Sequence, residues 1–231
     1  VEKVMERDVG KMEKIVSLCK RRGFIYPGSE IYGGLAGTYD YGPLGVRLKN
    51  NLKNIWWRNF VTNREDMFGL DAAIIMNTKT WEASGHVAGF TDPLADGQSF
   101  NTMFATKVGA GEEAQTAYLR PETAQGIFVN FKNVVDSFHP KLPFGIAQVG
   151  KAFRNEIAPR DFIFRLRELE QMEVEYFVKK EEWEKYFTEW KELILDYFTK
   201  VGLASGSVYE LEVPDGERAH YSTRTIDFEF D

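Results

Sequence analysis

The sequence has a single cysteine, Cys19, among 231 residues. No disulfide can form within the chain, which fits a reducing, cytoplasmic compartment. Its three histidines, His86, His139 and His220, are scattered without zinc-ligand spacing, so neither structural zinc nor another protein-held metal is expected. No apolar run is long enough to span a bilayer, and the opening VEKVMERDVGKMEK lacks the apolar stretch of a secretory signal. No membrane partner is expected. The chain also lacks GxxxxGK[ST], so it has no P-loop. Gly109 to Ala114 formally matches GxGxxA, but Glu112 and Glu113 would repel a pyrophosphate and the strand-like TAYLR follows. A hairpin tip is the better reading. Basic excess is missing too: the net charge of −6 argues against broad, non-specific nucleic-acid binding, although Lys20, Arg21 and Arg22 make a local basic cluster.

What is present belongs to a globular chain with a substantial core: 43% of residues are apolar and 14% aromatic. Residues 8–22 read as a helix, with Asp8 as N-cap, Met12, Ile15, Val16 and Cys19 as a stripe, and Gly23 as the stop. A Gly-, Tyr- and Pro-rich stretch of short strands and turns follows. Pro43 suits the first turn of a helix running to about residue 63, with Val46, Leu48, Leu52, Ile55, Trp56 and Phe60 mostly on one face. LDAAIIMN, residues 70–77, reads as a strand. Pro121 suits position N1 of a helix running to Phe138, which puts Glu122 in its first turn, where the helix dipole favours an acid. Residues 181–201 carry an aromatic stripe at helical spacing, ended by Gly202, and are expected to cover the back of a sheet. The tail from Val208 reads as a final strand pair.

The most informative stretch runs from Gly145 to Val178. It reads as a strand over 144–153, a charged loop, and a second strand over 162–178. Met172, Val174, Tyr176 and Val178 fall on one apolar, buried face; Glu173 and Glu175 fall on the other. Paired as a hairpin, the segment would bring Arg154, Arg165 and Arg167 together. Guanidinium forks grip phosphate oxygens and stack on flat rings, so three of them around one concavity suit a nucleoside triphosphate. Glu156 could accept from an exocyclic amine, and Glu173 could hold a cationic amine. A solvated sheet face laced with surface ion pairs is the plainer alternative.

Phe153-Arg154-Asn155-Glu156, then Pro159-Arg160, Phe164-Arg165-Leu166-Arg167-Glu168 and Glu170-Gln171-Met172-Glu173 resemble motif 2 of the class II aminoacyl-tRNA synthetases. The runs EQMEVEYF, SEIYGGLAGTYDYGPLG and RPETAQG resemble the dimeric-type glycyl-tRNA synthetases in particular. The resemblance implies an α+β class II catalytic fold, an antiparallel β-sheet flanked by helices. It implies activation of glycine with ATP and Mg²⁺ to glycyl-adenylate, then transfer to the acceptor end of tRNA(Gly).

Carried over residue by residue, Arg154, Glu156 and Arg165 take the catalytic roles. Arg154 would meet the α-phosphate, Glu156 the adenine amine, and Arg165 the phosphate tail or the base. Asn155, Phe164, Leu166, Arg167, Glu168 and Leu169 complete the ATP set. Glu122, Leu169, Glu170, Gln171, Met172 and Glu173 form the glycine set, with Glu122 and Glu173 on its ammonium. His86, in the motif-like WEASGH, is given no chemistry. Residues 44–78 resemble motif 1, which implies a homodimer, although the usual closing proline is missing; a helix packed on its own sheet would need no partner. Residues 1–231 read as one partial catalytic domain with motif 2 at 145–178. A seam of a missing insertion falls near 96–100, together with a family arginine, and motif 3 and an anticodon-binding domain are absent. Reduced activity follows from those losses. A catalytically weak class II-like binding or dimerisation module is the other reading.

Overall fold

In the computed structural model, residues 9–94, 96–159, 161–204, 206–219 and 221–230 are described. Asp8, Arg160 and His220, singled out above, lie outside them. The elements in chain order are α1 (Val9–Arg21), β1 (Ile25–Pro27), β2 (Tyr39–Tyr41), α2 (Pro43–Trp57), β3 (Met67–Gly69), β4 (Ile75–Met76), α3 (Thr78–Ala83) and α4 (His86–Gly89). They continue with β5 (Thr91–Pro93), β6 (Ser99–Asn101), β7 (Ala105–Val108), β8 (Gln115–Leu119), α5 (Ala124–Phe138), β9 (Phe144–Phe153), β10 (Glu168–Phe177), α6 (Trp183–Lys200), β11 (Val208–Glu212) and β12 (Ile226–Phe230).

The long hairpin is the centre of the fold. β9 and β10 pair antiparallel over ten residues each, from Glu168 opposite Phe153 to Phe177 opposite Phe144. β3 adds to the other edge of β9 in parallel, so the central sheet is mixed, in the order β10-β9-β3. On one face Ala147, Val149, Val174 and Tyr176 pack against Trp56 of α2, Phe60 and Val61 just after it, and Trp190, Leu193, Ile194 and Tyr197 of α6. On the other, Phe144, Ile146 and Phe177 pack against Ile127, Phe131 and Val134 of α5. The sheet is therefore covered on both sides, because β9 and β10 send apolar side chains to both faces. Within the apolar set, Val174 and Tyr176 are packed as expected, whereas Met172 is 40% exposed at the strand's outer end.

A second antiparallel sheet, β4-β8-β7, stands over a small core of Met76, Trp81 and Met103. The turn from Gly109 to Ala114 is its hairpin tip, with Val108 opposite Gln115. β5 and β6 close the 93–101 segment as a tight hairpin, with Gly97 at φ 82° in the left-handed region that favours glycine. β11 and β12 form the expected terminal pair. Pro43 opens α2, and Gly23 and Gly202, both at positive φ, follow α1 and α6.

Three elements depart from the sequence reading. The strand over 70–77 shortens to β4, because the Ala72 amide and carbonyl are taken by the side chains of Gln148 and Arg120 rather than by a ladder. The second hairpin strand starts at Glu168, because Asp161 and Phe162 adopt positive φ and turn the chain. α5 starts at Ala124, not Pro121. Glu122 thus lies ahead of the helix, and a first-turn dipole effect does not explain it.

Among the described residues, no helix is long and apolar enough to cross a membrane.

Candidate active site

A cavity of about 410 Å³ opens beside the outer end of the hairpin. That volume is within the range of small-molecule sites, roughly 300–1,000 Å³. Five parts of the chain build it. Arg154 and Glu156 project from the end of β9; Phe164, Arg165 and Leu166 come from the charged loop; Leu169, Glu170 and Met172 come from β10. α2 supplies Lys49 and Lys53, and Tyr41 closes one side. The hairpin register fixes the first and third groups, and α2 is held over the cavity by its own packing through Trp56.

Charges in the cavity are matched. Arg165 donates from Nε to Glu156 at 2.6 Å and lies 3.3 Å from Asp92 of β5. Lys49 and Lys53 meet the two oxygens of Glu170 at 2.8 and 2.7 Å. Burial alone would raise the Glu170 carboxyl, but hydrogen bonds from the two lysines outweigh it and hold it below its usual range. Arg154 donates from Nε to the Pro121 carbonyl at 3.1 Å, and its guanidinium lies over the Phe90 ring.

The expected convergence of three arginines reduces to two. Arg167 turns away, donating to the backbone carbonyls of Ala36 at 2.8 Å and Glu156 at 2.9 Å. Residues 161–164 form a turn and no continuous strand runs through 165–167, so strand alternation does not place Arg165 and Arg167 together. Asn155, Arg167 and Glu168 line a separate cavity of about 300 Å³ with Leu35, Phe104 and Leu119. The Asn155 amide donates to the Thr102 carbonyl.

A second cluster lies on the α5 side of the sheet. Glu173 accepts from the Thr123 hydroxyl, and Gln171 accepts from the Thr123 amide at 3.1 Å. Glu122 is 3.3 Å from His86 Nε2. The hydrogen bond from His86 holds the Glu122 carboxyl below its usual range against the opposing effect of burial, with help from Gln125 and Arg154. Glu173 goes the other way: burial pushes it up and the Glu122 charge adds to that, only partly offset by Thr123, Arg154 and Arg120. Glu175, deeper on the same face, is pushed up to about 7 by burial and by the charges of Glu173 and Glu122. An ionised Glu122 beside Glu173 and Glu175, whose ionisation burial and neighbouring carboxylate charge oppose, is a receptive setting for a cation. Glu170 and Met172 lie on the opposite face of β10 and do not join this cluster.

Several residues that build the site sit inside the stretches singled out in the sequence but were assigned no role there. Arg120 is 1% exposed and donates to the carbonyls of Lys151 and Ala72; it braces β9 against the loop before α5. Gln148, fully buried, donates to the Thr123 carbonyl. His86 reaches Glu122 because α3 packs on β8 and α4 on β6. The WEASGH run carried the one hint.

Comparison with known proteins gives the family of the chain. Residues 104–230 match the family model described as tRNA synthetase class II core domain (G, H, P, S and T). The chain belongs to this class II tRNA synthetase family. Among its curated relatives, the glycine–tRNA ligase of Alkaliphilus oremlandii is 46% identical over 276 aligned positions, covering 95% of this chain and 60% of the relative. That of Deinococcus radiodurans is 45% identical, covering 95% and 58%, and that of Treponema denticola 44%, covering 98% and 58%. The chain thus spans about 60% of the length of these relatives, and the alignments run longer than the chain itself, so the relatives carry internal segments it lacks. A crystal structure of the RNA binding domain of threonyl-tRNA synthetase from Cryptosporidium parvum superimposes with a TM-score of 0.64 at 20% identity, covering 85% of this chain and 43% of that one. This likeness bears on the fold alone and agrees with the α+β class.

Proposed function

We propose that the chain is the catalytic core of a glycine–tRNA ligase, activating glycine with ATP to glycyl-adenylate and passing glycine to the acceptor end of tRNA(Gly). The observation that carries this reading is the position of Arg154. Its guanidinium lines the cavity with Arg165 and Glu156, donates to the carbonyl just before Glu122, and acts electrostatically on both Glu122 and Glu173. Adenylation requires a nucleotide phosphate and an amino-acid carboxylate to meet, and Arg154 stands where the two clusters join.

In this reading the adenine enters the cavity beside Leu169 and Phe164, with Glu156 accepting from its amine. Arg165 moves from Glu156 to the phosphate tail. Glu122 and Glu173 hold the glycine ammonium, which replaces part of the proton-mediated relief that burial forces on Glu173 and Glu175. The glycine carboxylate then attacks the α-phosphate in line, and pyrophosphate leaves. Arg154 stabilises the charge that grows on the phosphate oxygens. Positioning and charge stabilisation supply the acceleration, and no covalent enzyme intermediate is needed. Arg167, Glu168 and Asn155 brace the loop rather than touch the nucleotide.

Mg²⁺ is read from the resemblance and would accompany the nucleotide's phosphates. Among the described residues no group of three or more His, Cys, Asp or Glu is placed to hold a metal ion, and the carboxylates of Glu156 and Glu170 are held by Arg165, Lys49 and Lys53. These residues offer no dedicated metal cage, so no step is routed through one.

Residues 1–231 are read as one catalytic domain, with motif 1-like 44–78 and motif 2 at 145–178, and with the relatives' extra internal segment falling at the β5–β6 hairpin. A homodimer is supported by the exposed apolar residues Ile31, Tyr32, Leu35, Leu44 and Leu48 on and before α2. Titration calorimetry with a non-hydrolysable glycyl-adenylate analogue, glycyl-sulfamoyl-adenosine, tests the function. Binding that weakens at least tenfold when alanyl replaces glycyl supports it; equal binding of the two, or none, contradicts it.

A further inference from the structure

We infer that His86 is a positioning residue for the amine-binding carboxylate: its Nε2–H aims Glu122 at the substrate ammonium while leaving the carboxylate's charge available to it. The inference rests on the proposed glycine pocket and adds a residue to it.

The geometry is a short relay. Ser84 Oγ lies 2.8 Å from His86 Nδ1, and His86 Nε2 lies 3.3 Å from Glu122 Oε1. The imidazole is fixed by its surroundings. It stands edge-on to Trp81, which is fully buried, with ring centroids 5.5 Å apart, and it lies against Phe90 at 5.3 Å. Its backbone is pinned as well: Asn101 Nδ2 donates to the carbonyls of His86 at 3.2 Å and Val87 at 2.8 Å. Gly85, at φ 80°, makes the turn that delivers the ring from α3 to the pocket.

Proton counting assigns the roles. An ionised carboxylate only accepts, so the proton between His86 and Glu122 sits on Nε2. Ser84 has one hydroxyl proton and two acceptors in reach, Nδ1 and the Trp81 carbonyl at 3.3 Å. When Ser84 donates to Nδ1, the ring is neutral and Nε2–H is its only donor. This is the tautomer that can orient Glu122 without neutralising it. A lysine or arginine in the same place would carry a permanent charge and compete with the ammonium that Glu122 is there to bind. A glutamate without the imidazole would sample several rotamers, and ordering it would fall on substrate binding.

The test is calorimetry of the whole chain with glycyl-sulfamoyl-adenosine and, separately, with ATP, each variant's fold being checked by thermal melting. His86→Ala is expected to weaken the analogue about tenfold, the loss of one hydrogen bond to a charged group, and to leave ATP affinity unchanged. His86→Gln, whose amide nitrogen reproduces Nε2, is expected to stay within about threefold of the parent chain. His86→Asn, which reproduces Nδ1 instead, is expected to behave as the alanine variant, so the Gln/Asn contrast decides even where alanine costs the fold. The double variant H86A/E122Q is expected to match E122Q alone, because residues acting through one interaction are not additive. Equal behaviour of Gln and Asn, equal losses of ATP and analogue, or additive losses in the double variant would overturn the role of His86 and leave the pocket standing. An E122Q variant that binds the analogue like the parent would remove the glycine pocket itself, and His86's role with it.

Discussion

The Arg154 side chain donates from Nε to the Pro121 carbonyl, 3.1 Å away, which ties the end of β9 to the backbone immediately before Glu122. One guanidinium thereby serves two purposes. It presents charge to the cavity and fixes the loop that carries a carboxylate of the second cluster. Replacing it should damage both. Arg154→Ala is expected to lower glycine-dependent activation at least a hundredfold, the scale seen when a preorganised transition-state donor is lost. Arg154→Lys should restore little, since a lysine ammonium cannot hold the Pro121 carbonyl through Nε and face a phosphate at once. Single-turnover rates of the two variants would check this.

Glu156 is occupied by Arg165 at 2.6 Å before any ligand arrives. Glu156→Gln should weaken ATP about tenfold, through loss of a charge-assisted hydrogen bond to the base amine. It should also narrow the preference for ATP over GTP. Equilibrium dialysis with the two nucleotides measures both effects.

Gly150 lies directly under Arg120, where an added Cβ would collide with Nη2. Arg120 is buried and its hydrogen bonds hold β9 to the loop before α5, so it cannot give way cheaply. Gly150→Ala should cost about 1–3 kcal/mol of stability, as overpacking of a tight core does. Chemical denaturation would show it as a lowered midpoint with an unchanged slope.

Glu175 gives a pH dependence with a definite sign. Its carboxyl is pushed from an ordinary 4.5 up to about 7, by burial first and then by Glu173 and Glu122. The folded chain therefore binds this proton more tightly than the unfolded chain does. The favourable contribution is complete below pH 4.5 and is lost as pH rises through 7, on the order of 3 kcal/mol for this group alone. Glu175→Gln should raise the melting temperature at pH 8 and change it little at pH 5. An equal shift at both values would contradict the placement of the carboxyl.

How far the sequence discloses this molecule depends on the range of the interaction. Ile146, Val149 and Phe153 among small residues locate β9, and alternation in β10 puts Val174 and Tyr176 on the face opposite Glu173, because strand parity is a local rule. The stripe in α6 and the stops at Gly23 and Gly202 are local as well. Arg167 shows the limit: two residues from Arg165, it points elsewhere, because no continuous strand runs through 165–167 and the Ala36 and Glu156 carbonyls draw its guanidinium away. Pro121 shows it again, since a good N1 residue is overruled by the bonds that hold its neighbourhood to Arg154, Gln171 and Glu173. His86 meets Glu122 across 36 positions of chain, through a fold-back that no local pattern records. The cavity residues from the hairpin were legible because one continuous segment carries them; Lys49, Lys53 and Asp92 join from distant elements and were not.

The most direct measurement is glycine-dependent ATP–pyrophosphate exchange by this chain, with Arg154→Ala as the control. The account predicts exchange that requires glycine, is not supported by alanine, and disappears in the arginine variant. Absence of exchange from a folded, ATP-binding chain, or exchange that survives Arg154→Ala, would contradict it.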